Sequence, residues 1–186
     1  SKSKGNVVDP LGIAEQYGTD ALRMALVIGN LPGNDIIISE DKIRGYRNFA
    51  NKIWNATRFV LLHVDAVPNT RKIKYGKKEQ AMRLKLKKLV RDTTKDIDAF
   101  RFHHAADRLY HFFWHYYADK IIEEMKPHLA MPDGNTEKET ARALLLEFHT
   151  TLMILLHPFM PFITEEIWKH LPVKNKNLLM VEQWPQ

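Results

Sequence analysis

The chain has 186 residues, 45% of them hydrophobic, no cysteine, and 28 Lys and Arg against 22 Asp and Glu, a formal charge of +6. That is enough apolar chain for one domain with an appendage, and the lack of cysteine excludes disulfides, thiol chemistry and thiolate zinc ligands. No apolar run is long enough to span a bilayer and SKSKGN has no apolar leader core, so a cytoplasmic protein with no membrane partner is expected.

Taken in order, Ser1 to Asn6 is a short basic segment. Asp9 before Pro10 reads as a helix start that runs to Tyr17-Gly18. Thr19 is expected to cap a second helix carrying Ala21, Leu22, Ala25, Leu26 and Ile28, which stops at Gly29-Asn30. Pro32, Gly33 and Asn34 make a turn, and Ile36 to Ile38 could be extended but has no partner strand nearby. Ser39 caps a long helix with Glu40 and Asp41 at its positive end, reaching about His63. After a loop over 64–77, a second long helix is predicted from Lys78 to Phe100, with Met82, Leu86, Leu89, Thr93, Ile97 and Phe100 in one stripe. A third runs from Phe102 to Lys126 and is ended by Pro127, with His103 and His104 marking the preceding bend. Thr136 and Glu139 form a capping box for a fourth, whose face is Ala141, Leu144, Leu145, Phe148, Leu152 and Leu155 and which Pro158 stops. A short helix starts at Thr164, placing Glu165 and Glu166 at its positive end, and the tail is weakly patterned.

Four rods of roughly twenty residues, each about 30 Å long, are what an up-down bundle requires. The expected fold is therefore all-α: a small helical segment over 1–38, a helical bundle over 39–172 and a tail over 173–186. No repeat suggests a solenoid.

The first long helix carries two stripes. Ile43, Tyr46, Ala50, Ile53, Trp54, Thr57 and Val60 share one face suited to a core, and Arg47, Asn51, Asn55 and Arg58 run beside them. Guanidinium forks and amides suit phosphates and base edges, although an isolated stripe of this kind is usually a solvated flank. His111 and His115 lack a third ligand and are separated by Phe112, Phe113 and Trp114, so no metal site is expected. The aromatic run from Tyr110 to Tyr117 reads first as core packing, with some rings left partly exposed. No Ser-His-Asp set, Walker loop or GxGxxG occurs, so nothing in the chain taken alone is a catalytic site.

SKSKGNVVDP resembles the end of the Lys-Met-Ser-Lys-Ser signature of class I aminoacyl-tRNA synthetases, with Ser1, Lys2 and Ser3 on its last three positions. YGTDALRMAL is similar to the family's following stem-contact helix, FFWHYYADKIIEEMKP to its third bundle helix and HPFMPFITEEIW to the motif closing its anticodon-binding bundle. GYRNFANKIWNATRF resembles the valyl branch more than the isoleucyl or leucyl ones. The region MRLKLKKLV departs from the family's tryptophan-containing DRWIL stretch. The resemblance implies a stem-contact segment followed by a class I anticodon-binding bundle, from a parent enzyme that attaches valine to tRNA(Val) using ATP with Mg. Lys2 would there act catalytically on the pyrophosphate leaving group, and Lys2 and Ser3 would bind ATP. The HIGH-motif catalytic domain is not in this sequence, so the chain alone is not expected to activate valine, and it needs no cofactor or metal of its own. The implied partners are the tRNA(Val) anticodon stem-loop and the parent's own catalytic domain, the chain acting as a monomer. The candidate tRNA contacts are Arg47, Asn51, Asn55 and Arg58, then Arg101 and Phe102 near the second junction, with Trp54 mainly in the core. The alternatives are a structural bundle that binds a partner protein, and the equivalent domain of an isoleucyl or leucyl enzyme.

Overall fold

The computed structural model describes residues 9–29, 39–68, 73, 75–173 and 177–186, and among these there is no strand. Two short helices, α1 (Pro10–Tyr17) and α2 (Thr19–Val27), precede the long α3 (Glu40–His63) and α4 (Lys77–Asp98). A composite rod follows: α5 (Phe102–His111), a π-helical stretch (Phe112–Ile121) and α6 (Ile122–Leu129). Then come α7 (Thr136–Leu156), α8 (Pro161–His170) and a 3-10 turn at Leu179–Val181. The expected signature residues Ser1, Lys2 and Ser3, and the segment Ile36 to Ile38, lie outside the described residues.

The four rods form the up-down bundle. α3 and α4 each pack mainly on the composite rod and on α7, with little contact between them, so they occupy diagonal corners. α7 is more central than one stripe predicts, because Ala143, Leu146, Met153 and Leu156 are buried along with the expected face. A helix apolar on several sides is stable only when surrounded, and α7 touches α3, α4, the composite rod and α8. The π-helical stretch sets the aromatic run in rows four residues apart: Phe112–Tyr116 at 5.0 Å and Phe113–Tyr117 at 5.3 Å between centroids. Phe113 and Tyr117 are buried, while Tyr110, Phe112, Trp114 and Tyr116 are partly so. The run is core packing with a partly exposed margin.

At the centre lies a buried polar chain. Thr57 Oγ1 donates to the Ile53 carbonyl at 2.9 Å, so it can only accept from His149 Nε2, also at 2.9 Å. His149 Nδ1 is then the acceptor for the Tyr117 hydroxyl at 3.1 Å. These hydrogen bonds assign the neutral Nε2–H tautomer, and full burial pushes the imidazole pKa down to about 3.

The helix ends differ from the sequence expectation in two ways: an adjacent residue takes the cap at α2 and α7, and a remote one takes it at α8. Gly18, at φ 92°, is the N-cap of α2, and the Thr19 side chain makes no cap hydrogen bond. Asn135, one residue before the expected capping box, accepts from the N–H groups of Glu137 and Lys138 and caps α7. Pro127 lies inside the last turn of α6, where it forfeits one hydrogen bond without stopping the helix until Leu129. α8 begins at Pro161, not Thr164, so Glu165 and Glu166 sit mid-helix. Glu165 accepts from the Leu179 N–H, and Glu166 pairs with Lys169, so neither needs the helix dipole as its explanation. α8 has no local side-chain cap; Asp20 on α2 takes that role, accepting from Phe162 N at 3.3 Å and Ile163 N at 2.7 Å. Arg23, one turn on, donates to the carbonyls of Pro158 and Phe159.

α4 ends at Asp98, and the bend is at 99–101; His103 and His104 fall in the first turn of α5. Phe100 N donates to Ile97 O and Arg101 N to Asp96 O, a Schellman-type ending. Its left-handed position, usually glycine, is Phe100 at φ 57°, with the ring 81% exposed. Phe100→Gly should therefore raise stability by about 0.5–1 kcal/mol, since it relieves the left-handed Cβ clash and surrenders little buried area. Urea denaturation would read the gain, and a drop in stability would show that the ring is structural.

Candidate nucleic-acid interface

α3 starts where Ser39 Oγ accepts from the Lys42 N–H and Glu40 and Asp41 meet the helix dipole. Ile43, Phe49, Ile53, Ala56, Thr57 and Val60 anchor it in the core. At 100° per residue the opposite side must carry Arg44, Arg47, Asn48, Asn51, Asn55, Arg58 and Leu62, and all seven are exposed. Arg44 is held by Asp41. Arg47, Asn51, Asn55 and Arg58 make no hydrogen bond or ion pair with a described residue. The backbone positions of the two arginines thus lie about 16 Å apart along the axis of one rod, with amides between them.

Trp54, expected in the core, is instead 39% exposed at the edge of this strip. The inner face is already filled by Phe49 and Ile53, and position 54 points a quarter-turn away from them. Arg44, Asn48 and Leu62 join the strip although the sequence reading does not single them out; helical spacing alone places them here, and Leu62 is 78% exposed. On one flank, Lys52 pairs with Asp119 and lies 4.9 Å over the Trp114 ring. On that side a shallow groove of about 210 Å³ is lined by Lys52, Asn55, Phe59, Ile122, Glu123 and Lys126, among others, which puts one strip amide at the mouth of a cleft whose two lysines are each paired with an acid, Lys52 with Asp119 and Lys126 with Glu123. Beneath the strip, burial, with Tyr110 and Asp107 nearby, pushes the Tyr46 phenol up to about 12, so it stays neutral.

Arg101 and Phe102 are not brought to this strip. Tyr46 meets Tyr110 at 5.9 Å, and Arg101 and Phe102 lie two turns below that contact on another rod, at the far end from Arg58. Arg101 is bound to Asp96 through Nε at 3.0 Å and a terminal nitrogen at 2.8 Å. Phe102 is exposed, edge-on to Phe100. Burial pushes the Asp96 carboxyl up, but Arg108 and Arg101 together hold it below the ordinary range. No group of three or more His, Asp or Glu among the described residues is placed to hold a metal ion, and no helix there is long and apolar enough to cross a membrane.

Residues 79–186 match the family described as the anticodon-binding domain of tRNA ligase. The chain belongs to that family. Residues 1–39 match a second family, the class I tRNA synthetases for I, L, M and V. The whole chain is similar to the valine–tRNA ligase of Geobacter sulfurreducens, 43% identical over 191 residues and 21% of that protein. It is also similar to that of Bradyrhizobium diazoefficiens, 41% identical over 187 residues and 19% of that protein. The chain thus spans about a fifth of the length of the curated relatives it matches. Among solved structures, a methionyl-tRNA synthetase from Mycobacterium tuberculosis matches 90% of this chain with 34% of its own, at TM-score 0.74 and 23% identity. The LeuRS of Agrobacterium radiobacter K84, in a ternary complex with tRNA and LeuAMS, matches the full chain with 21% of its own, at TM-score 0.71 and 22% identity. These two likenesses concern the fold of the anticodon-binding domain, a helical bundle as the residue spacing implied.

Proposed function

We propose that this anticodon-binding domain holds the anticodon stem-loop of tRNA(Val) through the outer strip of α3, as a module of a valine–tRNA ligase. The observation that carries the reading is the strip itself: Arg47 and Arg58 exposed and unpaired by any described acid, with Asn51 and Asn55 between them. Guanidinium groups orient a phosphate backbone, and amides can read the edges of unstacked bases. Similarity to valine–tRNA ligases across the whole chain supports valine as the cognate amino acid. The complete enzyme would join valine to tRNA(Val) with ATP and Mg, Lys2 and Ser3 serving the ATP site as part of the signature loop. The module would work as a monomer in the cytoplasm, docked on the catalytic domain of its own parent, with units at 1–38, 39–172 and 173–186.

Fluorescence anisotropy with a labelled valine anticodon stem-loop, over a range of salt concentrations, tests the reading. Arg47→Ala with Arg58→Ala should weaken binding roughly tenfold and flatten the plot of log K against log salt by about 0.7–0.9 for each phosphate left without its cation. Asn51→Ala and Asn55→Ala should narrow the preference for valine anticodons over others. Binding indifferent to salt, to the anticodon and to these substitutions would refute the proposal.

A further inference from the structure

A second basic surface lies at the diagonal corner of the bundle. α4 and residues 184–186 enclose a groove of about 750 Å³, with Lys87, Arg91, Thr94, Lys95, Ala99 and one acid, Asp98, on one side and Trp184 on the other. Lys87, Arg91 and Lys95 recur every four residues, so their backbone positions rise by about 6 Å each along the helix axis, within the span of one nucleotide of an extended strand. Lys87 and Lys95 pair with no described acid, and Arg91 has only Asp92 at 3.5 Å, which is itself held by Lys88. The opposite wall is the half-buried Trp184, whose indole N–H donates to Thr94 Oγ1 at 2.7 Å and so holds the ring in one orientation. Asp98 and Ala99 line the groove at the C-terminal end of α4.

We propose that this groove is a binding site for single-stranded RNA, separate from the α3 strip. The three cations take successive phosphates, and Trp184 offers its ring to a base at the wall. Three cations against the single acid Asp98 leave the groove net positive, which calls for a polyanion, and a fixed ring beside a line of cations favours nucleotides over acidic side chains, which have no base to stack. One stem-loop seated on α3 leaves the groove open, because α3 and α4 occupy diagonal corners.

The test is titration of the chain with a fluorescein-labelled, unstructured RNA hexamer, with and without saturating anticodon stem-loop. Lys87→Glu with Arg91→Glu and Lys95→Glu, all at exposed positions, should weaken hexamer binding at least tenfold. The salt slope should fall by about 0.7 for each phosphate that is no longer neutralised. Trp184→Ala should weaken it about fivefold or more. Arg58→Ala should leave hexamer binding within twofold, and the charge-reversed variant should still bind the stem-loop. Three results would each overturn the proposal: hexamer binding unchanged in the charge-reversed variant, one-for-one displacement of the hexamer by the stem-loop, or displacement by a glutamate peptide as effective as by unlabelled RNA. Weaker stem-loop binding in the α3 variants alone bears only on the α3 strip, so the two sites succeed or fail separately.

Discussion

Replacing His149 by glutamine should remove about one proton from the acid unfolding of the domain. The folded imidazole titrates near 3 because it is wholly buried, whereas an unfolded histidine titrates near 6.5. The folded pKa is the lower one, so above about pH 6.5 both states are neutral and the group's contribution is fully present. As pH falls from 6.5 towards 3, the unfolded chain takes a proton that the folded chain refuses. Stability then falls by up to about 1.4 kcal/mol per pH unit, in total on the order of 5 kcal/mol across that window. Carboxylates held below their usual range by cations, such as Asp96 and Asp133, lose their contribution at more acid pH, below the ordinary carboxylate pKa. His63 and His157 are also lowered and add in the same direction as His149, so the informative quantity is the difference between wild type and variant. At pH 7, His149→Gln should cost about 1–3 kcal/mol, since the Tyr117 hydroxyl is deprived of a well-placed acceptor. Denaturant titrations at half-unit steps from pH 7 to pH 4 would measure both effects. Equal slopes for the two proteins would mean that His149 is protonated in the fold.

Asp20→Ala should cost about 2–3 kcal/mol, with the damage centred on α8. The substitution strips the N–H groups of Phe162 and Ile163 of their acceptor, and removal of a local cap alone costs about 0.5–2 kcal/mol. Here the cap also docks one segment on another 142 residues away, so the substitution loosens α2 from the end of the bundle as well. Burial pushes the Asp20 carboxyl above its ordinary range despite the two N–H donors and Arg23. Asp20→Asn, which keeps an acceptor oxygen without the buried charge, should recover most of the stability. Hydrogen exchange at residues 162–166 would show early opening in the alanine variant and near-wild-type protection in the asparagine one. Equal exchange in all three proteins would show that the contact is incidental.

Much of this architecture is legible in the residues because helical spacing is a local property. The four rods, the cap at Ser39 and the strip of Arg47, Asn51, Asn55 and Arg58 all follow from steps of three and four. Trp54 is ambiguous at that level because its spacing fits the edge of either stripe, and only the volume of Phe49 and Ile53 beneath it decides the matter. Arg101 offers no warning that Asp96, five residues earlier, claims it once the chain turns.

By itself, then, the order of residues determined the helical class, the number of rods and the polar strip of α3, since each depends on neighbours within a turn or two. Tertiary structure alone decided that Asp20 caps α8, that His149 stays neutral between Thr57 and Tyr117, and that α4 and Trp184 enclose a basic groove. Each of these joins groups some thirty to more than a hundred residues apart, and no periodicity encodes which distant donor meets which acceptor until the core has packed.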